Sequence, residues 1–393
     1  MNQLKKRRSL GEILMSSDGA ISVLVVLLGF LCGTILILSV NRNPLGMYKA
    51  LVQVLTGYNI DRGKWYVRYV GEWLAQSMPY ILCGLSMGFA ARVGLFNIGG
   101  EGQYVVGLTV AQTFALLGPQ LSFFHWFIAL FLAMFAGAFW GGIVGWLKAK
   151  YEVSEVVATI MLNYIALYSS RILIMQIPGT NTYRTVDYPA TALLSNPVLQ
   201  KLTGGSMLNL GIIFVILAVI AYWFIIEKTK LGFGLRATGF NKEAARCGGI
   251  PVMKSIVLSM AIAGAFAGLG GGIVALGSFK FGRVLANNDG YGFTGIAVAL
   301  VGNNTALGTL LAGLLFGMLS SAQPLMESNS IPKEIVFIIQ GLVVIFIAIR
   351  AGFRIFINYS MKKKLEKAAT IEPSPDAATT ASPAKSDEKE SEK

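Results

Sequence analysis

Ten apolar runs divide this sequence from near its start to near its end, and they decide what it can fold into. A helix needs about 20 mostly apolar residues to cross the ~30 Å hydrocarbon layer of a bilayer. The runs read as Ala20–Val40, Trp73–Ala91, Tyr104–Leu117, Phe123–Leu147, Val156–Met175, Leu208–Ile226, Ser255–Leu276, Phe293–Val301, Leu307–Ala322 and Ile335–Ile349. Only 13% of residues are charged, half the ~25% of soluble proteins, so the chain cannot cover a water-facing surface. Its 45 glycines follow no collagen-like period and sit within the apolar runs, as in closely packed transmembrane helices. The expected fold is an all-α polytopic membrane protein of about ten transmembrane or half-membrane helices.

Phe293–Val301 is too short to cross a membrane, which marks it as re-entrant or as one half of a broken helix. Non-helical backbone at membrane depth survives only where protein buries it or a wet cavity solvates it. Two Gly/polar breaks, Asn97–Gln103 and Gly302–Thr305, interrupt the apolar pattern in two halves of the chain. They point to an inverted repeat with a pathway at its interface.

The net charge of +13 needs dividing. From Leu365 onward there are seven acids and four lysines, so the rest of the chain carries +16. Basic residues cluster at the ends of apolar runs, which the positive-inside rule explains without nucleic acid. An N-terminus inside the cell places 22 of the 33 Lys and Arg on the cytoplasmic side. An even number of spans then puts both termini there. Arg42, Lys49, Arg62, Lys64 and Arg68, in the first external loop, run against the rule; Trp65, Tyr66, Tyr69 and Trp73 suit an interfacial segment. The organisation expected is a cytoplasmic segment over 1–19, a transmembrane domain over 20–350, and a cytoplasmic, mostly disordered tail over 351–393.

Enzymatic signatures are missing. The Gly63-Lys64 pair lacks the spacing of a phosphate-binding loop, and Gly232–Ala237 fits GxGxxA but follows a membrane helix instead of a strand. The lone His125 reads as interfacial, and Cys32, Cys83 and Cys247 form neither a metal motif nor a disulfide framework. No cofactor or metal is expected, and no catalytic residue.

Lys228–Lys254 carries six basic residues around a stretch of good helix formers. Asn241 reads as an N-cap for Lys242–Arg246, with Gly248, Gly249 and Pro251 as the stop. Residues Arg236 to Ile250, with GLFNIGGEGQ (Gly94–Gln103), EVSEVVATIMLNYIALY (Glu152–Tyr168) and YGFTGIAVALVGNNTALGT (Tyr291–Thr309), resemble the permeases of ABC importers for branched-chain amino acids, simple sugars and nucleosides. The three longer stretches resemble the nucleoside type, over roughly Leu74–Arg350. The resemblance implies a translocation subunit in the bacterial cytoplasmic membrane, working beside a second homologous permease. It also implies a cytoplasmic ATPase with two fused cassettes, which alone hydrolyses ATP, and a substrate-binding lipoprotein outside.

Carried over by position, Arg236, Gly239, Asn241, Glu243, Ala244, Ala245 and Gly249 fall in the loop that faces the ATPase. The small Ala244-Ala245 pair would let the helix enter a groove, while Glu243 and Arg246 supply surface charge. The candidates for the substrate pathway are Asn97, Glu101, Gln103, Asn163, Asn303 and Asn304. Amides donate and accept, which suits a base or ribose and equally a sugar. A Glu between apolar spans is costly, so Glu101 faces a cavity, a partner or the interface, or it is a satisfied structural group at a cytoplasmic boundary near Arg92. Asn163 reads equally as a residue that bonds only a neighbouring helix. The alternatives to nucleoside import are a simple-sugar permease and, in another class, an ion-coupled transporter needing paired intramembrane acids.

Overall fold

The computed structural model describes residues 18–122 and 124–349. The expected tail over 351–393 and most of the N-terminal segment lie outside the described residues. All ten apolar runs are helices: α1 (Asp18–Ser39), α3 (Arg68–Ala91), α4 (Gly100–Leu117), α5 (Phe124–Tyr151), α6 (Glu155–Met175), α8 (Gly211–Lys228), α11 (Val252–Gly277), α12 (Tyr291–Val301), α13 (Ala306–Ser328) and α14 (Glu334–Ala348). Seven of them are long and apolar enough to cross a membrane. At 11 residues, α12 spans roughly 16 Å, half a bilayer.

Burial sorts the spans. In α3 and α11 the most apolar stretch is 72% buried, against 22–44% in the other five long spans, so these two form the centre and the rest face outward. The α5–α11 seam is lined by Gly137, Gly141, Gly264 and Gly268, whose backbones meet so closely that added Cβ atoms would collide with carbonyls across it. With lipid as solvent, such backbone-to-backbone packing, and not the hydrophobic effect, drives helix association.

The segment between the first two spans is more than a loop. It holds α2 (Leu45–Thr56) and a hairpin of β1 (Tyr58–Asn59) and β2 (Lys64–Trp65). Met47, Ala50, Leu51 and Val54 of α2 are buried against Leu319, Ala322 and Met326 of α13 and against Ile335 and Ile339 of α14. The loop's lysine and arginine residues, contrary to the charge rule on their own, are partly neutralised: Lys49 pairs with Asp61 at 2.5 Å and Arg68 with Glu72 at 3.4 Å.

A second small sheet joins distant segments: β3 (Arg184–Asp187) runs antiparallel to β4 (Phe281–Arg283). Between them in sequence lie α7 (Pro197–Leu202) and two short helices after α8, namely α9 (Lys230–Phe240) and α10 (Lys242–Cys247). His125 is not at a lipid interface. It is fully buried, with Nδ1 2.9 Å from the Thr191 hydroxyl and its ring edge-to-face with Phe114.

Candidate functional site

The loop between α8 and α11 is built from two capped helices. Thr229 caps α9 by accepting from the Gly232 N–H at 2.9 Å, and Asn241 caps α10 by accepting from Glu243 and Ala244, both at 3.0 Å. Beyond α10, Gly249 takes φ +77°, and the Ile250 N–H returns to the Ala245 carbonyl at 2.9 Å, a left-handed stop that favours glycine. The expected single short helix is therefore a pair, and α9 is the element that the small, glycine-containing run from Lys230 to Phe240 concealed.

The seven candidate residues of this loop divide by direction. Glu243 and Ala244 face outward with Asn241, and Glu243 pairs with Arg246 at 3.3 Å. Ala245 turns the other way, into a cluster with Ala90, Leu95, Val144, Ile256 and Met260, so the two alanines serve opposite faces. Arg236 bonds Glu227 at 2.8 Å, and the same carboxylate receives Arg92 at 2.5 Å. Glu227, unnoticed in the sequence, thus joins the ends of α3, α8 and α9. Gly239 lies on the backbone of Val93 and Gly94, where a Cβ would stand 2.7 Å from the Val93 carbonyl carbon. One more residue escaped the sequence reading: Phe240, the last residue of α9, is 90% exposed.

The turn that Gly239 touches leads directly to the first break. Asn97, Glu101, Gln103 and Asn163 are all fully buried and come together there. Asn97 and Gln103 exchange amide hydrogen bonds of 2.9 and 3.1 Å, and Asn97 also donates to the Ser86 hydroxyl at 3.0 Å. Asn163 accepts from the Gly102 N–H at 2.8 Å and donates to the Ile98 carbonyl at 3.1 Å, fixing α6 to the start of α4. Glu101 is not near Arg92 in function: that arginine belongs to Glu227. The Glu101 carboxylate instead accepts from the backbone N–H groups of Gly290 at 2.8 Å and Gly292 at 2.6 Å. These are orphan donors at the N-terminus of α12, where the helix dipole is positive and an anion is stabilised.

Around that N-terminus Tyr104 donates to Asp289 at 2.9 Å, and Asp289 is clamped by Arg283. Tyr291 packs its ring on Tyr80 and Tyr104, with centroids 5.1 and 5.4 Å apart. No sequence pattern marked Arg283 and Asp289, because they lie at the end of β4 and in the irregular segment between it and α12. Asn303 and Asn304 sit apart from this cluster, in the turn between α12 and α13, both with φ near +53° (φ +54° and +52°). The Asn304 carbonyl receives the Tyr222 hydroxyl at 2.7 Å. Among the described residues no group of three or more His, Cys, Asp or Glu could hold a metal ion.

The described residues thus form a helical bundle with two buried central spans, a half-helix capped by Glu101, and a capped helix pair between α8 and α11. The family described as the branched-chain amino acid transport system, permease component, matches residues 69–348. The chain belongs to that family. It is a multi-pass membrane permease, a transport component and not an enzyme. Among its relatives, the guanosine ABC transporter permease protein NupP of Bacillus subtilis (strain 168) is 42% identical over 324 residues, covering 80% of this chain and 93% of NupP. The nucleoside ABC transporter permease protein NupB of Lactococcus lactis subsp. cremoris is 36% identical, covering 88% of this permease and 98% of NupB. The glucose ABC transporter permease protein TsgB13 of Haloferax volcanii is 33% identical, covering 84% and 87%. No solved structure matches the permease.

Proposed function

We propose that this permease forms part of the translocation pathway for nucleosides in an ATP-binding-cassette importer of a bacterial cytoplasmic membrane. A cytoplasmic ATPase, with two fused cassettes, binds the α9–α10 face and alone hydrolyses ATP. A second homologous permease completes the pathway, and a substrate-binding lipoprotein delivers ligand outside. Both termini are then cytoplasmic, and the α2–hairpin end of the bundle is external.

The observation that carries the reading is the 42% identity to a guanosine permease over nearly all of that protein's length. Two structural features support it. The outward face of α10, with Phe240 at its start, offers an aromatic knob and the small Ala244 to a groove. Broken-helix N-termini in transporters often point at an anionic group of the substrate, but that of α12 already holds the chain's own Glu101. An amino acid's carboxylate finds that positive end occupied, whereas a neutral nucleoside needs none. A sugar is equally neutral, and the 33% identity to a glucose permease favours it as the second reading. An ion-coupled mechanism lacks an unengaged pair of acids at this place: Glu101 is held by two N–H groups and Asp289 by Arg283.

In this reading Asn97, Gln103, Asn163 and Glu101 fix the walls of the pathway, and Asn303 and Asn304 turn the chain at its cytoplasmic end. Arg236, Gly239 and Ala245 hold the docking helices to the bundle, while Glu243 and Ala244 meet the ATPase. The test is uptake of radiolabelled guanosine, uridine, ribose and glucose by a strain lacking this gene and complemented with it. Restoration of guanosine or uridine uptake supports the reading; restoration of sugar uptake alone overturns it. In the same strain Ala244→Trp should abolish uptake while the permease remains in the membrane. Wild-type uptake in that variant would remove the docking role of α10.

A further inference from the structure

We propose that Tyr164 and Tyr168, on the outward face of α6, are the residues over which the nucleoside base passes, on a wetted wall that faces the second permease. The inference rests on the nucleoside reading above. Val157, Met161, Tyr164, Tyr168, Arg171 and Met175 recur at steps of three and four residues and are all exposed, so they form one stripe along the helix. The opposite face, with Thr159, Asn163 and Ser170, is buried. It is fastened to α4: the Ser170 and Thr109 hydroxyls meet at 2.6 Å, and Asn163 holds the Gly102 N–H at 2.8 Å. The stripe is thus presented by a helix whose other side is fixed.

Two other spans show what a lipid-facing surface looks like. From Phe131 to Phe139 of α5 only Phe and Leu are exposed, and from Ile213 to Ile220 of α8 only Ile and Leu. The stripe on α6 differs in kind, because two hydroxyls and a guanidinium stand on it. Tyr164 is 51% and Tyr168 58% exposed. Among the described residues, neither hydroxyl nor Arg171 has a hydrogen bond or an ion pair. Tyrosines turned into the bundle are satisfied instead: Tyr80 donates to Ser320, Tyr104 to Asp289 and Tyr222 to the Asn304 carbonyl.

Hydrocarbon penalises an unpaired hydroxyl or charge. Arg171 lies four residues from the C-terminal end of α6, about 6 Å along the axis, where a long side chain reaches the headgroups by snorkelling. Depth therefore makes Tyr164 decisive. It is the tenth of the 21 residues of α6, about 16 Å from the same end, too deep for a phenol to reach the interface. Water or a polar partner must meet this face in the middle of the membrane, and a pathway shared with a second permease supplies both. Tyr164 and Tyr168 then set two flat rings about 6 Å apart along that path, surfaces on which a base stacks.

The experiment uses the assembled transporter, with its partner permease and ATPase, in lipid nanodiscs, treated with the charged, water-soluble thiol reagent 2-sulfonatoethyl methanethiosulfonate. Peptide mass spectrometry reads the reaction at each introduced cysteine, so the native cysteines stay in place. Tyr164→Cys and Tyr168→Cys should react, and saturating guanosine should slow both at least threefold. Phe135→Cys of α5 and Ile220→Cys of α8, on the lipid-facing surfaces, should stay unlabelled. In uptake assays Tyr168→Leu should lower kcat/KM for guanosine roughly tenfold, the worth of one stacked base, while Tyr168→Phe, which keeps the ring, should lose less. Co-purification of the partner subunits reports that the variants fold. No reaction at either position means a dry interface or lipid and overturns the wall. Reaction without protection by guanosine, together with unchanged uptake in Tyr164→Leu and Tyr168→Leu, overturns the contact with the base. Both of those outcomes leave nucleoside import by the wild type standing; a wild type that imports no nucleoside overturns the functional reading and this inference with it.

Discussion

The two Gly/polar breaks, alike in composition, are opposite in construction. At Asn97–Gln103 every amide is engaged, and the break is riveted to α3, α6 and α12 by side chains that are fully buried. At Gly302–Thr305 two successive asparagines turn the chain in left-handed conformation, and the buried Asn304 Oδ1 has no partner. There the Asn304 carbonyl receives the Tyr222 hydroxyl, and Thr305 caps α13. The first break holds position; the second reverses direction. Polar residues between membrane helices are therefore not one category, and what separates them is how many distant segments each satisfies.

The largest test of that contrast is Glu101→Leu. It strands two buried N–H groups at the start of α12, at about 1–3 kcal/mol each, so loss of the assembled permease is expected by size-exclusion chromatography after mild heating. A Glu101→Gln variant, which keeps an acceptor, should lose less. Wild-type thermal stability in Glu101→Leu would mean that the rivet is ornamental. Next comes Asn97→Leu, which leaves the buried Gln103 Nε2 without an acceptor while its oxygen keeps the Ser86 hydroxyl, for about 1–3 kcal/mol, read as a lowered melting temperature in detergent.

Changes at the second break should be milder. Tyr222→Phe removes one neutral hydrogen bond, worth about 1 kcal/mol, and should lower the melting temperature less than Asn97→Leu does. Smallest of all, Asn304→Gly supplies a residue suited to φ +52°, so stability should move by no more than about 1 kcal/mol in either direction. A collapse of Asn304→Gly comparable to Glu101→Leu would erase the distinction between the breaks.

All ten membrane runs were legible in the sequence because hydrocarbon imposes a length and a composition that no packing detail can override. The N-cap at Asn241 and the stop at Gly249 were legible for a related reason: both are local, set within four residues by side-chain reach and backbone handedness. Helix α2 was hidden because its 12 residues mix Tyr48, Lys49 and Gln53 with apolar positions, and only α13 and α14 give its buried face a partner. The partner of Glu101 lies 189 and 191 residues away in sequence, beyond any motif. Proximity in the sequence favoured Arg92, which the fold assigns to Glu227, 135 residues distant.

By itself, then, the sequence determined the solvent: a chain so apolar and so poor in charge must satisfy its backbone inside helices. It also determined where the membrane helices lie and how α10 is capped, since hydropathy and capping are read locally. The tertiary structure decided what each polar residue is for. A carboxylate in a membrane is costly wherever it stands, and only the arrival of α12 from the far end of the chain turned Glu101 into the cap of a half-helix.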